Sequence, residues 1–247
     1  MRVFYGLDHL PSFRWAVATV GSYDGIHCGH RYLLQRVMAE ATRLGGESIV
    51  FTFDPHPRIT LGKDQGLRLL TSLDEKIYLL DKMGIDNLVV IPFDRAFSCT
   101  SSFDFLRLLV EKAHVQTLIV GYDHRFGRNK EGGCETLEQA RTLFHLHIVE
   151  INEQEVEREH VSSTVARKLI EKGDMAHAAK ILGHPYLIIG QVDSNGTVTL
   201  TEPLKLLPQS GAYAVSANGC AAQLIVDGRS LRLIATSVSA GEINLTF

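Results

Sequence analysis

Between Trp15 and Ile151, short apolar runs alternate with segments of helical periodicity, and that alternation leaves few architectures open. Trp15–Val20, Ser48–Phe53, Asn87–Pro92, Thr117–Gly121 and His147–Ile151 read as strands. Between them, His30–Arg43, Leu73–Met83, Phe103–Lys112 and Leu137–Leu146 carry apolar residues at helical spacing. Leu88-Val89-Val90-Ile91 and Leu118-Ile119-Val120 are apolar on both faces, as strands are when helices cover both sides of a parallel sheet. Ser72-Leu73-Asp74-Glu75 has the spacing of a capping box, in which serine and glutamate each satisfy an orphan backbone donor. The expected fold is α/β, an open doubly wound parallel sheet with its ligand crevice at the carboxyl ends of the strands.

Two more helices are expected at Ser163–Glu171 and Met175–Leu182, the second ended by Gly183 and Pro185. Beyond Tyr186 the period changes. Short strands separated by Asn195-Gly196, Asn218-Gly219 and Asp227-Gly228 predict a small antiparallel β domain, a barrel of about six strands. The expected division is therefore 1–185 and 186–247. Leu61–Leu70, with Gly62, Lys63, Asp64, Gln65 and Gly66 inside it, reads as a mobile loop.

Bulk properties exclude several classes. Among 247 residues, 45% are hydrophobic and 21% charged, an ordinary globular balance. A formal charge of −3 offers no electrostatic reason to bind nucleic acid or an anionic membrane. No apolar stretch approaches the roughly 20 residues that span a bilayer. The N-terminus lacks a secretory pattern, and Cys28, Cys99, Cys134 and Cys220 are scattered, which points to a reducing cytoplasm.

Four segments carry chemistry. Gly21-Ser22-Tyr23-Asp24-Gly25-Ile26-His27-Cys28-Gly29-His30 turns from a strand into a helix, where orphan N–H groups and the helix dipole favour an anion. The two imidazoles can contact a phosphoryl oxygen, cap the helix or form half of a metal site; Asp24 can also simply hold the turn. Thr52-Phe53-Asp54-Pro55-His56-Pro57-Arg58 puts Asp54, His56 and Arg58 at the mouth of the crevice, or its prolines merely end a strand. Val120-Gly121-Tyr122-Asp123-His124-Arg125-Phe126-Gly127-Arg128-Asn129-Lys130-Glu131-Gly132-Gly133 leaves the fourth strand, Thr117–Gly121, as a glycine-rich loop made basic by Arg125, Arg128 and Lys130 and suited to a polyphosphate or a ring stacked near Phe126, or is a solvated loop. Val161-Ser162-Ser163-Thr164-Val165-Ala166-Arg167 opens a helix; its hydroxyls cap that helix or, with Arg167, hold phosphate.

In this order, the four segments resemble the nucleotidyltransferase half of the prokaryotic bifunctional riboflavin kinase/FAD synthetase family. Residues 21–30 match G-x-F/Y-D-G-x-H-x-G-H, and 52–57 are similar to T-F-x-P-H-P. Residues 121–127 resemble G-x-D-F-x-F-G with His124 where phenylalanine is usual, and 162–167 match S-S-T-x-x-R. The likeness covers roughly residues 1–192 and implies adenylyl transfer from ATP to FMN, with Mg²⁺ accompanying ATP, giving FAD and pyrophosphate. It implies catalytic roles for His27, His30 and Arg167. It assigns Gly21, Tyr23, Asp24, Gly29, Ser162, Ser163 and Thr164 to ATP, and Asp54, His56, Asp123, Arg125 and Phe126 to the flavin. No side chain is assigned as a metal ligand. The kinase segment G-R-x-L-G-F-P-T-x-N is missing: Val192 runs into Asp193-Ser194-Asn195-Gly196, no P-T-x-N occurs, and the chain stops before the family's later glutamate and closing helix. The expectation is an FAD synthetase without riboflavin kinase activity, its β domain a structural remnant or a docking surface for a protein partner. Two alternatives stay open: a nucleotidyltransferase with another phosphate acceptor, and a catalytically silent flavin- or nucleotide-binding regulator.

Overall fold

The computed structural model describes residues 1–121, 134–151, 163–235 and 239–247. They fall into two compact units, one of Met1–Tyr23, His30–Gln65 and Leu79–Glu159, the other of Asp24–Gly29, Gly66–Tyr78 and His160–Phe247.

The first unit is built on a parallel sheet. Its strands are β1 (Arg2–Tyr5), β2 (Ala16–Val20), β3 (Glu47–Asp54), β4 (Asn87–Pro92), β5 (Val115–Gly121) and β6 (His147–Ile151), in the order β1-β4-β3-β2-β5-β6. The five expected strands are present: β2 is a residue shorter, starting at Ala16, β3 is extended by Glu47 and Asp54, and β5 is extended by Val115 and Gln116, with a register shift against β2 at Gln116. Along the chain, helices α1 (Cys28–Leu44), α2 (Pro57–Thr60), α3 (Leu73–Met83), α4 (Ser102–Ala113) and α5 (Cys134–Phe144) are interspersed with the strands, Cys28–Gly29 of α1 and the first six residues of α3 belonging to the second unit. Successive residues of a strand face opposite ways, and β2 shows the result. Ala16, Ala18 and Val20 join a core with Ile49, Phe51, Val89 and Leu118, whereas Val17 packs with Val37, Ala41 and Ile119. Because β2 pairs β3 on one side and β5 on the other, the strand order reverses there, and the carboxyl ends of β2 and β5 flank the kind of crevice that such sheets use for ligands.

The second unit contains α6 (Ser163–Glu171), α7 (Met175–Leu182) and a closed barrel of β7 (Leu187–Val192), β8 (Thr197–Thr199), β9 (Gly211–Ala217), β10 (Cys220–Asp227), β11 (Ser230–Ile234) and β12 (Gly241–Thr246). Ala166, Ile170, Ala178 and Leu182 of the helices share one core with Ile188, Leu224, Leu231 and Leu245 of the barrel, and Leu70 belongs to it too. Asn218-Gly219 is the expected two-residue turn, both residues at positive φ. The next turn is shifted by one: Asp227 pairs with Ser230, so Gly228-Arg229 form the loop. Asn195-Gly196 belong to a longer turn in which Asp193 Oδ1 accepts from the N–H groups of Asn195 and Thr197, both at 2.8 Å.

One expectation is corrected. The stretch Leu61–Leu70 is not a mobile loop throughout, because Leu67, Leu69 and Leu70 are buried. Leu69 bridges in parallel to Lys205, its N–H on the Leu204 carbonyl and its carbonyl taking the Leu206 N–H, both at 2.8 Å.

Candidate active site

The turn leaving β2 is conformationally unusual. Tyr23, Gly25 and Ile26 have φ values of 47°, 84° and 40°. A β-branched residue in this region is an outlier that survives only where its surroundings over-determine it, and such outliers gather at functional sites. Gly25 is required twice over, since a Cβ there would stand 2.6 Å from Leu70 Cδ1. Tyr23 is buried, its hydroxyl 2.7 Å from that of Thr19 and its ring edge-on to His30 with centroids 5.2 Å apart. Burial raises the phenol well above its ordinary pKa, so it stays protonated.

Asp24 is the centre of the arrangement within the second unit. Its Oδ1 accepts from the backbone N–H groups of Leu70 and Thr71 at 2.8 and 3.0 Å, and from the Thr71 hydroxyl at 3.3 Å. Its Oδ2 pairs with Arg167 Nη2. Arg167 Nε donates to the Arg68 carbonyl at 2.9 Å, and Ser163 Oγ donates to the Asp24 carbonyl at 3.1 Å. The turn at 24–29 and the start of α6 are therefore held together through one buried carboxylate. Neighbouring groups tighten it: Gly25 N–H donates to Thr71 Oγ1, and the Gly25 carbonyl accepts from His184 Nε2, both at 3.0 Å.

Helix α1 begins two residues earlier than its apolar periodicity indicates, at Cys28, so that His27 occupies the N-cap position and His30 the third helical position. The N–H groups of this first turn have no intrahelical acceptor and point, with the positive end of the dipole, toward any anion placed there. Burial pushes the His27 imidazole down from 6.5 to about 4; the Asp24 carboxylate opposes that shift and the Arg167 cation adds to it. His27 is thus neutral at physiological pH and senses both members of the Asp24–Arg167 pair.

That depression has a sign that can be checked. Between pH 6.5 and about 4 the unfolded chain binds a proton at this imidazole and the folded chain does not, so stability falls as pH drops through that window. The full effect is on the order of 2–3 kcal/mol, and above pH 6.5 it is constant. Urea unfolding at intervals from pH 4.5 to 7.5 should show a flatter pH dependence for His27→Gln than for the parent chain; parallel curves would contradict the burial argument.

The remaining predicted residues are distributed as follows. Gly29 follows Cys28 in the first turn of α1, and Thr164 is exposed on α6. Asp54 ends β3 and is exposed, while His56 caps α2 by accepting the Arg58 N–H on Nδ1 at 3.2 Å. Asp123, Arg125, Phe126 and Ser162 lie outside the described residues. Thr71 and His184 were not anticipated, because their partners are 46 and 159 residues away in the chain.

Likeness to known proteins agrees with this geometry. Residues 11–165 match the FAD synthetase family. The bifunctional riboflavin kinase/FMN adenylyltransferase of Escherichia coli (strain K12) is 32% identical over 229 residues, covering 89% of this chain and 73% of that one. The enzyme of the same name from Listeria monocytogenes is 31% identical over 232 residues, covering 87% and 73%. Among solved structures, one described as a macrolide-efflux protein from Streptococcus pneumoniae superimposes with a TM-score of 0.80 at 21% identity over 100% of this chain and 98% of its own, a likeness of fold. With the reversed strand order at β2, the strained turn into α1 and the Asp24–Arg167 pair in place, the family match over most of the sheet-forming half settles the assignment: this chain belongs to the FAD synthetase family of nucleotidyltransferases.

Proposed function

We propose that the chain transfers the adenylyl group of Mg²⁺-bound ATP to the phosphate of FMN, giving FAD and pyrophosphate, and that it does not phosphorylate riboflavin. On this reading an FMN phosphate oxygen attacks the α-phosphorus as the bond to the β-phosphate oxygen breaks, with no covalent enzyme intermediate. Chemistry of this kind asks the protein for positioning and charge stabilisation. His27, His30 and the N–H groups of the first turn of α1 face the triphosphate, and Arg167 with Ser163 and Thr164 takes the β- and γ-phosphates. Mg²⁺ enters with the nucleotide; among the described residues no group of three or more His, Cys, Asp or Glu side chains could hold a metal ion. Residues 1–185 would supply the transferase chemistry, and 186–247 would descend from a kinase barrel.

The observation that carries this reading is the meeting of the 24–29 turn with α6 at Asp24, which sets a guanidinium and a serine hydroxyl beside the His27 end of α1. The lost kinase activity is supported by the turn after β7. Where the family has P-T-x-N, this chain has Asp193–Gly196, whose one carboxylate is already bonded to two backbone N–H groups.

Incubation with Mg²⁺, ATP and either FMN or riboflavin, followed by chromatography, tests the proposal. FAD and pyrophosphate should form from FMN and nothing from riboflavin; flavin binding without turnover would overturn it. His30→Ala should lower FAD formation by about a hundredfold, the usual cost of losing one charge-stabilising donor. Its melting temperature should stay within a few degrees of the parent's, and a collapse in melting temperature would assign His30 to packing against Tyr23 instead.

A further inference from the structure

We propose that Lys205 is a positioning residue for Arg167, acting through the backbone of residues 68–71. This deepens the proposed function and rests on the reading of Arg167 as a phosphate ligand.

Lys205 lies between β8 and β9 and is fully buried. Its ammonium donates to the Leu70 carbonyl at 2.6 Å, to Glu75 Oε2 at 2.5 Å and to the Leu187 carbonyl at 2.8 Å, and it sits 4.2 Å from the centroid of the Tyr186 ring. Three acceptors converge on one point, and of the side chains only an ammonium carries three donors on a single atom. Glu75 is equally committed, taking the Ser72 N–H on Oε2 at 2.8 Å and the Ile189 N–H on Oε1 at 3.0 Å. Burial drives Glu75 up and Lys205 down in pKa; each is opposed first by the charge of the other, at Glu75 also by the Ser72 and Ile189 N–H groups and at Lys205 also by the Asp24 and Glu202 carboxylates. Replacing such a buried pair by apolar residues is often neutral or stabilising, so stability alone is a weak reason for it.

Geometry supplies a better one. The segment 68–71 has two sides. Toward the barrel, Leu69 is bridged to residues 204–206 and the Leu70 carbonyl is held by Lys205. On the other side, the Leu70 and Thr71 N–H groups hold Asp24, and the Arg68 carbonyl holds Arg167 Nε. The guanidinium and its counter-ion are thus both fixed to a segment of four residues that Lys205 anchors. Arg229 secures the anchor in turn, donating to the Lys205 and Pro203 carbonyls at 2.5 and 2.8 Å.

The test uses the whole chain with Glu75→Gln and Lys205→Met together, which leaves no unpaired buried charge. Arg167 Nε–H is identified in a ¹⁵N spectrum by its loss in Arg167→Lys. It should be a resolved, slowly exchanging resonance in the parent and merge with the exposed arginine signals in the double variant. Should that variant not fold, Glu75→Gln with Lys205→Gln takes its place and should show the same signature. In FAD formation the double variant should raise the KM for ATP about tenfold with kcat changed less than threefold. In an Arg167→Ala background it should add less than threefold to the loss in kcat/KM. An unchanged Nε–H resonance, or effects that multiply in full, would overturn the proposal. A parent chain that makes no FAD but shows the spectral change would overturn the assigned reaction and leave the role of Lys205 standing.

Discussion

Asp24→Ala should destabilise the protein by about 3–5 kcal/mol and reduce FAD formation by on the order of a thousandfold or more. Two losses combine. The backbone N–H groups of Leu70 and Thr71 lose a buried acceptor, and each orphaned donor costs roughly 1–3 kcal/mol. Arg167, three-quarters or more buried, loses its counter-ion while its Nε remains tied to Arg68. For a chain of this size the stability loss corresponds to a melting temperature lowered by roughly 10 °C. Asp24→Asn separates the two parts, because an amide oxygen can still accept from Leu70 and Thr71 whereas no amide neutralises Arg167. It should therefore melt closer to the parent and still lose most of its activity. Circular dichroism melts together with FAD formation measure both, and an Asp24→Ala variant within 1 kcal/mol of the parent would remove Asp24 from the centre of the site.

What could be read from the residues was whatever depends on near neighbours. The strands at 87–92 and 147–151 and the helices at 73–83, 163–171 and 175–182 stand where their periodicity, caps and Gly183 put them. The capping box is real: Ser72 N–H donates to Glu75 Oε2 and Glu75 N–H to Ser72 Oγ. Its glutamate has two further bonds that spacing could not disclose, from the Ile189 N–H 114 residues on and from a lysine 130 residues on. Strand β1 was missed because Arg2-Val3-Phe4-Tyr5 is only four residues at a sheet edge, its apolar run is three residues long, and Tyr5 is 69% exposed. In Leu61–Leu70 the glycines and charges at 62–66 hid the apolar end at Leu67-Arg68-Leu69-Leu70. Leu204-Lys205-Leu206-Leu207 held a usable sign, a lone lysine flanked by leucines, which is how a buried ammonium with convergent acceptors looks in sequence. At the proposed site, the glycines, histidines and Arg167 could be singled out from their spacing as candidates for contact with phosphate. That Arg167 is braced by Asp24 was not, since 143 residues separate them.

Removal of residues 186–247 should abolish FAD formation while leaving the six-stranded sheet folded. Among the described residues, the sheet's main core, from Phe13 through Phe51, Leu118 and Ile148, contains none beyond 185. The other core is different: Leu70, Ala166, Ile170, Ala178 and Leu182 are covered by Tyr186, Ile188, Leu206, Leu207 and the barrel strands. Uncovering a buried leucine or isoleucine costs roughly 1.5–3 kcal/mol, so losing this cover outweighs the few local bonds that keep 66–78 and α6 in place. Lys205, Leu204 and Leu206 would go as well, and with them the clamp on the segment that holds Asp24 and Arg167. Trypsin provides the readout. In the shortened chain Arg68, Arg167, Lys168 and Lys172 should be cut within minutes, the sheet residues should resist, and the far-ultraviolet signal of an α/β sheet should persist. A fragment that resists at those four positions and still makes FAD would mean that the barrel only accompanies the site.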